Sequence, residues 1–269
     1  MIKDITLGQF FPGKSILHRL DPRIKILLTI FFITVLFLAS TFWSYLLLTA
    51  FVILTVSVSG IPAKLIYKSV KPLFFIIVFT TILNIFYTTG TPLFSFNIFG
   101  WALSVSLEGI ITAAFMVVRI VYLIIMTSLL TYTTSPIQLT DGLERLLGPL
   151  KALKVPVHEF AMMMTIALRF IPTLIEETDK IINAQKARGA DFESGGLLKR
   201  TKALIPVLIP LFVSAFRRAE ELATAMECRC YRGGEGRTRM KQYKLIFIDY
   251  TSFFLLVILC TAVILLNRF

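Results

Sequence analysis

The sequence predicts an all-α membrane protein with about five transmembrane helices and a set of long, kinked amphipathic helices outside the bilayer. Three observations carry this. The chain is 56% hydrophobic and only 16% charged, with a mean hydropathy of +0.79, a balance far from that of a soluble domain. Five apolar stretches approach the roughly 20 residues that a bilayer core of about 30 Å requires. The 28 Lys and Arg residues avoid two of the loops that join those stretches and crowd into the others.

The first span, Ile24–Phe42, is announced by Asp21-Pro22. Asp is a strong N-cap and Pro suits the first helical position, where its missing N–H is no loss. Arg23 and Lys25 follow at the expected headgroup level, their stems buried and their charges wet. Asp21, Pro22 and Arg23 therefore read as a helix start and topology anchor. Trp43–Ser59 is the second span. Leu73–Tyr87 is a short third, able to borrow Ser69, Val70, Thr88 and Thr89. The segment Thr88–Ser106, rich in aromatics and turn formers, suits a short hairpin at the outer interface. Gly109–Leu130 is the fourth span. Arg119 near its centre costs about 3 kcal/mol unless it faces protein, so a hydrogen bond to carbonyls of a neighbouring helix is expected.

Ser135-Pro136 opens an amphipathic helix, Ile137–Leu153, with Leu143, Leu146, Leu147, Leu150 and Leu153 on one side. Asp141, Glu144, Arg145 and Lys151 lie elsewhere around it, the pattern of a surface helix. Two long helices follow, Val157 to Gly189 and Leu198 to Arg232, each apolar at its start and polar at its end. Their apolar runs, Phe160–Ile175 and Ala203–Phe216, contain Pro172 or Pro206 and Pro210, so they look too short and broken for simple spans and should kink. Ala215, Ala219 and Ala223 recur every four residues and permit close helix approach. Leu245–Leu266 is the fifth span. The chain thus divides into a four-span region (1–130), a region of long amphipathic helices (131–244) and a C-terminal span (245–269).

Charge placement sets the orientation. Five Lys and Arg precede the first span, three lie between spans two and three, and eighteen lie from Arg145 to Lys244. The loops near Ser40–Trp43 and from Thr88 to Ser106 have none. The positive-inside rule then places the N-terminus and the long helices in the cytoplasm. The net charge of +12 is topology signal and headgroup contact, since no aromatic-interleaved basic groove suggests nucleic acid. A cleavable signal peptide fits the first span poorly, because a long polar segment precedes it and another apolar run follows. Cys228, Cys230 and Cys260, with His18 and His158, suggest neither a disulfide framework nor a metal site.

The ends of the two long helices are alike. Ala184-Gln185-Lys186-Ala187-Arg188-Gly189 closes the first and Ala225-Met226-Glu227-Cys228-Arg229-Cys230 the second. Glycine is a natural left-handed helix stop, and a cation at a helix C-terminus meets the negative end of the dipole. Guanidinium also pairs bidentately with carboxylates and anchors interfaces, so two such ends suggest two docking points.

With Leu20-Asp21-Pro22-Arg23-x-Lys25, Ala187-Arg188-Gly189, Cys228-Arg229-Cys230 and the tail Gly236-Arg237-Thr238, the chain resembles the transmembrane T component of energy-coupling factor (ECF) transporters along essentially its whole length. The resemblance implies a non-catalytic scaffold of a bacterial cell membrane importer for vitamins or micronutrients. Its partners would be two ATPases, which bind ATP and Mg, and a membrane-embedded substrate-binding S component. The chain itself would hold no cofactor. By position, Arg188 and Arg229 would dock the ATPases, with Ala187, Gly189, Cys228 and Cys230 shaping the fit, and Pro172, Pro206 and Pro210 would belong to the S-component platform. The family's second signature is normally also Ala-Arg-Gly. Because Cys230 tolerates a left-handed backbone poorly, the second helix is expected to run on to Gly233-Gly234. The alternatives are a membrane enzyme using Arg188, Arg229 and Asp191 or Glu193 on lipid-linked or phosphorylated substrates, and a self-contained channel or carrier.

Overall fold

The computed structural model describes residues 10–87, 92–98, 101–192, 196–234 and 245–268. In chain order the elements are α1 (Ile16–Arg19), α2 (Pro22–Leu38), α3 (Phe42–Ser59), α4 (Ala63–Val70), α5 (Phe74–Tyr87), β1 (Pro92–Ile98), β2 (Trp101–Ser106), α6 (Leu107–Thr133), α7 (Pro136–Leu146), α8 (Val157–Ala187), α9 (Leu197–Cys228) and α10 (Phe247–Leu266). Two compact units arise. One takes the described residues up to Gly142 together with α10, and the other runs from Leu143 through α9.

The first unit is a helical bundle with the five expected spans. Phe42–Ser59, Ala63–Phe86, Leu107–Thr133 and Phe247–Leu266 are long and apolar enough to cross a membrane, and α2, with 17 residues, lies at the lower limit of about 17. The third span is longer than its apolar run. The basic linker Lys64–Lys71 is itself helical and passes through a 3₁₀ turn at Lys71–Leu73 into α5. The segment before α6 pairs as the antiparallel hairpin β1–β2, so the architecture departs from all-α by this one feature among the described residues. Gly90, Thr91, Phe99 and Gly100 of that segment lie outside them.

The bundle core is the seam between α2, α3 and α10. Phe32, Val35, Leu36, Leu48, Val52, Leu256, Leu259 and Val263 are buried there, and Phe32 stacks on Phe51. Gly109 opens α6 against α5. A Cβ there would sit 3.1 Å from the Ile85 carbonyl oxygen, so glycine allows the two backbones their close approach. Arg119 meets the expected fate: its guanidinium donates to the Ala39 carbonyl at 3.1 Å and to the Tyr45 hydroxyl at 2.7 Å. Ala39 is the C-cap of α2, so the arginine satisfies a carbonyl that the helix leaves orphaned. Asn267 works at the same turn, donating to the Leu38 carbonyl and accepting from Ser44.

At the opposite end of α2, Asp21 is the N-cap and accepts from the Arg23 amide at 2.9 Å. Pro22 lies against Gly142, where a Cβ would come within 3.1 Å of it. Lys25 corrects the sequence reading. It is 6% exposed rather than wet, and its ammonium donates to the Thr133 carbonyl at 2.9 Å and to Thr134 Oγ1 at 3.3 Å. Its charge is balanced by the carboxylates of Asp249 and Asp21. Asp249, 2% exposed, accepts from the backbone N–H of Asp21 through Oδ1 and of Ile246 through Oδ2. A buried polar knot thus ties the starts of α2 and α10 to the end of α6.

From α7 onward the helices differ from the sequence reading in two places. The segment expected as one helix to Leu153 splits into α7 and a 3₁₀ turn, Gly148–Leu153, because Pro149 cannot donate the next helical hydrogen bond. α8 and α9 continue unbroken through Pro172, Pro206 and Pro210. By length and composition α8 is therefore also apolar enough to cross a membrane, although its run to Ile175 reads as interrupted.

Removing one member of the polar knot strands the others. Asp249→Ala leaves two backbone donors without their acceptor and unbalances Lys25, and should lower stability by about 3 kcal/mol. Denaturation in mixed micelles checks this; a change below about 0.5 kcal/mol would show that the knot contributes no net stability.

Candidate functional site

The six residues singled out at the helix ends all lie on the surface: Ala187, Arg188, Gly189, Cys228, Arg229 and Cys230 are exposed. Each arginine is the C-cap of its helix, with φ/ψ of −85/5 at Arg188 and −90/11 at Arg229. After Arg188 the chain turns left-handed at Gly189, φ 87. The Gly189 amide donates to the Lys186 carbonyl and the Ala190 amide reaches back to Gln185, both at 3.0 Å. These two bonds form a Schellman stop.

The second end repeats it. Cys230 is left-handed, φ 55, its amide donates to the Glu227 carbonyl at 2.8 Å, and the Tyr231 amide donates to Met226 at 3.1 Å. The expectation that α9 runs on to Gly233-Gly234 is overturned. Two backbone hydrogen bonds, with the left-handed turn they close, outweigh the roughly 1–2 kcal/mol that a Cβ costs in this conformation. Cys230 is one of two non-glycine residues at positive φ among those described, with Lys154. Gly233 is left-handed as well, but in the segment beyond the helix.

α8 and α9 pack as an antiparallel pair, since contacts run upward in one helix as they run downward in the other. Gln185 Nε2 approaches the Pro206 carbonyl at 3.5 Å. Near the middle, Arg218 donates to Glu177 Oε2 at 2.8 Å and Ser214 donates to Oε1. Tyr231 meets His158 at the far end. The alanine stripe does not close onto α8: Ala215, Ala219 and Ala223 line an open groove with Ile166, Phe170 and Leu174 of α8, and Ala219 and Ala223 are exposed. Arg188 and Arg229 therefore project from opposite ends of one braced pair. Among the described residues neither guanidinium has an ion-pair partner.

The three prolines do not join these ends. Pro172, Pro206 and Pro210 are exposed, and Pro206 and Pro210 sit among exposed Leu204, Ile205, Leu208, Ile209, Phe212 and Val213. Pro210 has no N–H for the Pro206 carbonyl, and that is the oxygen Gln185 approaches. Asp21, Pro22 and Arg23 belong to the polar knot of the other unit. Asp191 is exposed; Glu193 and the tail Gly236–Thr238 lie outside the described residues.

Sequence reasoning missed Glu144 and His158. Glu144 counted among the polar positions of a surface helix, yet it is 7% exposed and accepts from or pairs with His158 Nδ1 at 2.9 Å. The spacing of the leucines around α7 held no signal for this, because His158 comes from another helix.

The Cobalt transport protein (CbiQ) family model matches residues 13–240. The chain is 58% identical to the energy-coupling factor transporter transmembrane protein EcfT of Ruminiclostridium cellulolyticum, over 99% of this chain and 98% of that one. The proteins of the same name from Clostridium kluyveri and Bacillus subtilis are 55% and 50% identical, covering 97% and 90% of their own lengths. In keeping with the transmembrane proteins it resembles, the chain has helices long and apolar enough to cross a membrane and is a non-catalytic transporter component, which disfavours the enzyme alternative. With most of its length inside the family model and close relatives spanning nearly all of it, this chain belongs to the cobalt transport protein family, as an energy-coupling factor transporter transmembrane (T) component.

Proposed function

We propose that this chain is the scaffold that couples ATP hydrolysis in two associated ATPase subunits to reorientation of a separate S component, for uptake of a vitamin or micronutrient. The observation that carries the reading is the matched pair of helix ends: two exposed arginines, each capping a helix stopped by the same left-handed turn, at opposite ends of one braced pair. Two equivalent tips suit two equivalent partners, and an unpaired guanidinium suits a carboxylate-lined groove. Ala187 and Gly189 flank one arginine and Cys228 and Cys230 the other, small enough to let a partner close around each.

ATP and Mg belong to the ATPases in this reading, and the chain itself binds no cofactor. The apolar surface of α9 around Pro206 and Pro210, with Pro172 on α8, forms part of the S-component platform, since large exposed apolar area in a transporter subunit calls for a membrane partner. The bundle sits in the bacterial cell membrane with its N-terminus and the arginine tips in the cytoplasm, following the positive-inside bias.

Arg188→Glu combined with Arg229→Glu should leave a membrane-inserted bundle that no longer co-purifies with its ATPases and supports no uptake. ATPase capture at the wild-type level would sink the docking assignment. Because both turns share one backbone form, Cys230→Gly should preserve ATPase capture, whereas Cys230→Val, β-branched in a left-handed position, should lower stability by about 1–2 kcal/mol and weaken capture. Equal behaviour of the two variants would refute the role of that turn. For orientation, in a background without Cys228, Cys230 and Cys260, a cysteine at Thr91 should react with an impermeant maleimide from outside the cell and one at Lys202 should not; the reverse pattern would invert the topology.

A further inference from the structure

The two arginine tips share a backbone turn but not a setting. Beyond Gly189 the space is open, with no atom within 4 Å of where a Cβ would stand. Beyond Cys230 the chain folds back on the first turn of α8. Residues Tyr231–Gly234 meet His158, whose ring is held from both nitrogens: Nδ1 lies 2.9 Å from Glu144 Oε1 and Nε2 lies 3.5 Å from the Tyr231 hydroxyl. In the neutral ring, donation from Nδ1 to the carboxylate leaves Nε2 to accept from the tyrosine. Gly234 lies on the ring itself. A Cβ there would come 2.7 Å from His158 Cδ2 and 2.9 Å from Cγ, so this close approach requires glycine.

Building on the docking reading above, we propose that His158 is a positioning residue for Arg229, fixing the orientation in which that tip meets its ATPase while leaving the Arg188 tip untouched. Glu144 sets the ring, the ring holds Tyr231 and Gly234, and these follow directly on the left-handed turn that carries Arg229. A helix end otherwise frays within its last turn, and a strap just beyond the cap suppresses that fraying.

The test uses the full chain co-expressed with its ATPases. In the Arg188→Glu background, where capture depends on the Arg229 tip, His158→Ala should reduce ATPase capture by about fivefold or more; in the Arg229→Glu background it should change capture less than about twofold. Tyr231→Phe, which removes one hydroxyl and little else, should act in the same direction. His158→Asn, whose amide can replace Nδ1 as donor to Glu144, should recover part of the loss. Hydrogen exchange of the purified chain supplies a readout independent of docking: His158→Ala should speed exchange at residues 226–234 and leave 184–190 unchanged. Equal losses in both backgrounds, or exchange unaltered at 226–234, would overturn the proposal. If neither Arg188→Glu nor Arg229→Glu alone lowers capture, the docking reading fails instead, and the exchange pattern still decides whether the strap exists.

Discussion

A helix presents a side chain at a fixed direction from its end only if its backbone stops at a fixed residue. In α8 and α9 that stop is a pair of reaching-back hydrogen bonds around a left-handed residue, Gly189 in one and Cys230 in the other. Everything proposed for the arginines depends on it. A helix running on past its arginine would place it along the shaft instead of at the tip, and one that frayed would not present it in a fixed direction. The turn also places each cation beside the exposed carbonyls of the last helical turn, where the helix dipole favours it.

The membrane bundle solves a different problem with related means. Four of its polar side chains gather at the two ends of α2, and each of these serves a helix terminus: Asp21 and Asp249 the amides that open α2 and α10, Arg119 and Asn267 the carbonyls that close α2. In a medium without water, helix ends must find protein partners. The charged residues of this unit that look most functional in the sequence are in large part such partners, which argues against a charged transport path through the bundle.

Much of this was legible beforehand. Span positions followed from apolar length, Asp21-Pro22 from capping preference, and the partner of Arg119 from the cost of an unpaired charge at that depth. What escaped were features made by residues distant in sequence. Lys25 looked like a surface anchor because the carbonyl that receives it belongs to Thr133. Glu144 looked solvated because His158 arrives from another helix. Cys230 was misread for a different reason: local preference alone opposed a left-handed cysteine, and the preference lost to two hydrogen bonds. The docking role proposed for the arginines rests on family likeness together with the repeated arginine end, and no span or cap preference points to a partner.

The Glu177–Arg218 ion pair stands at a particular place along the two helices. Arg188 follows Glu177, and Arg229 follows Arg218, by the same eleven residues, about 16 Å of helix in each case. The ion pair is thus the fulcrum of a lever with equal arms pointing in opposite directions. A rotation of one helix against the other by 10° would carry each tip by about 3 Å over such an arm. Among the described contacts the outermost ones, Gln185 to Pro206 and Tyr231 to His158, both at 3.5 Å, act on long arms and so oppose scissoring with the most leverage.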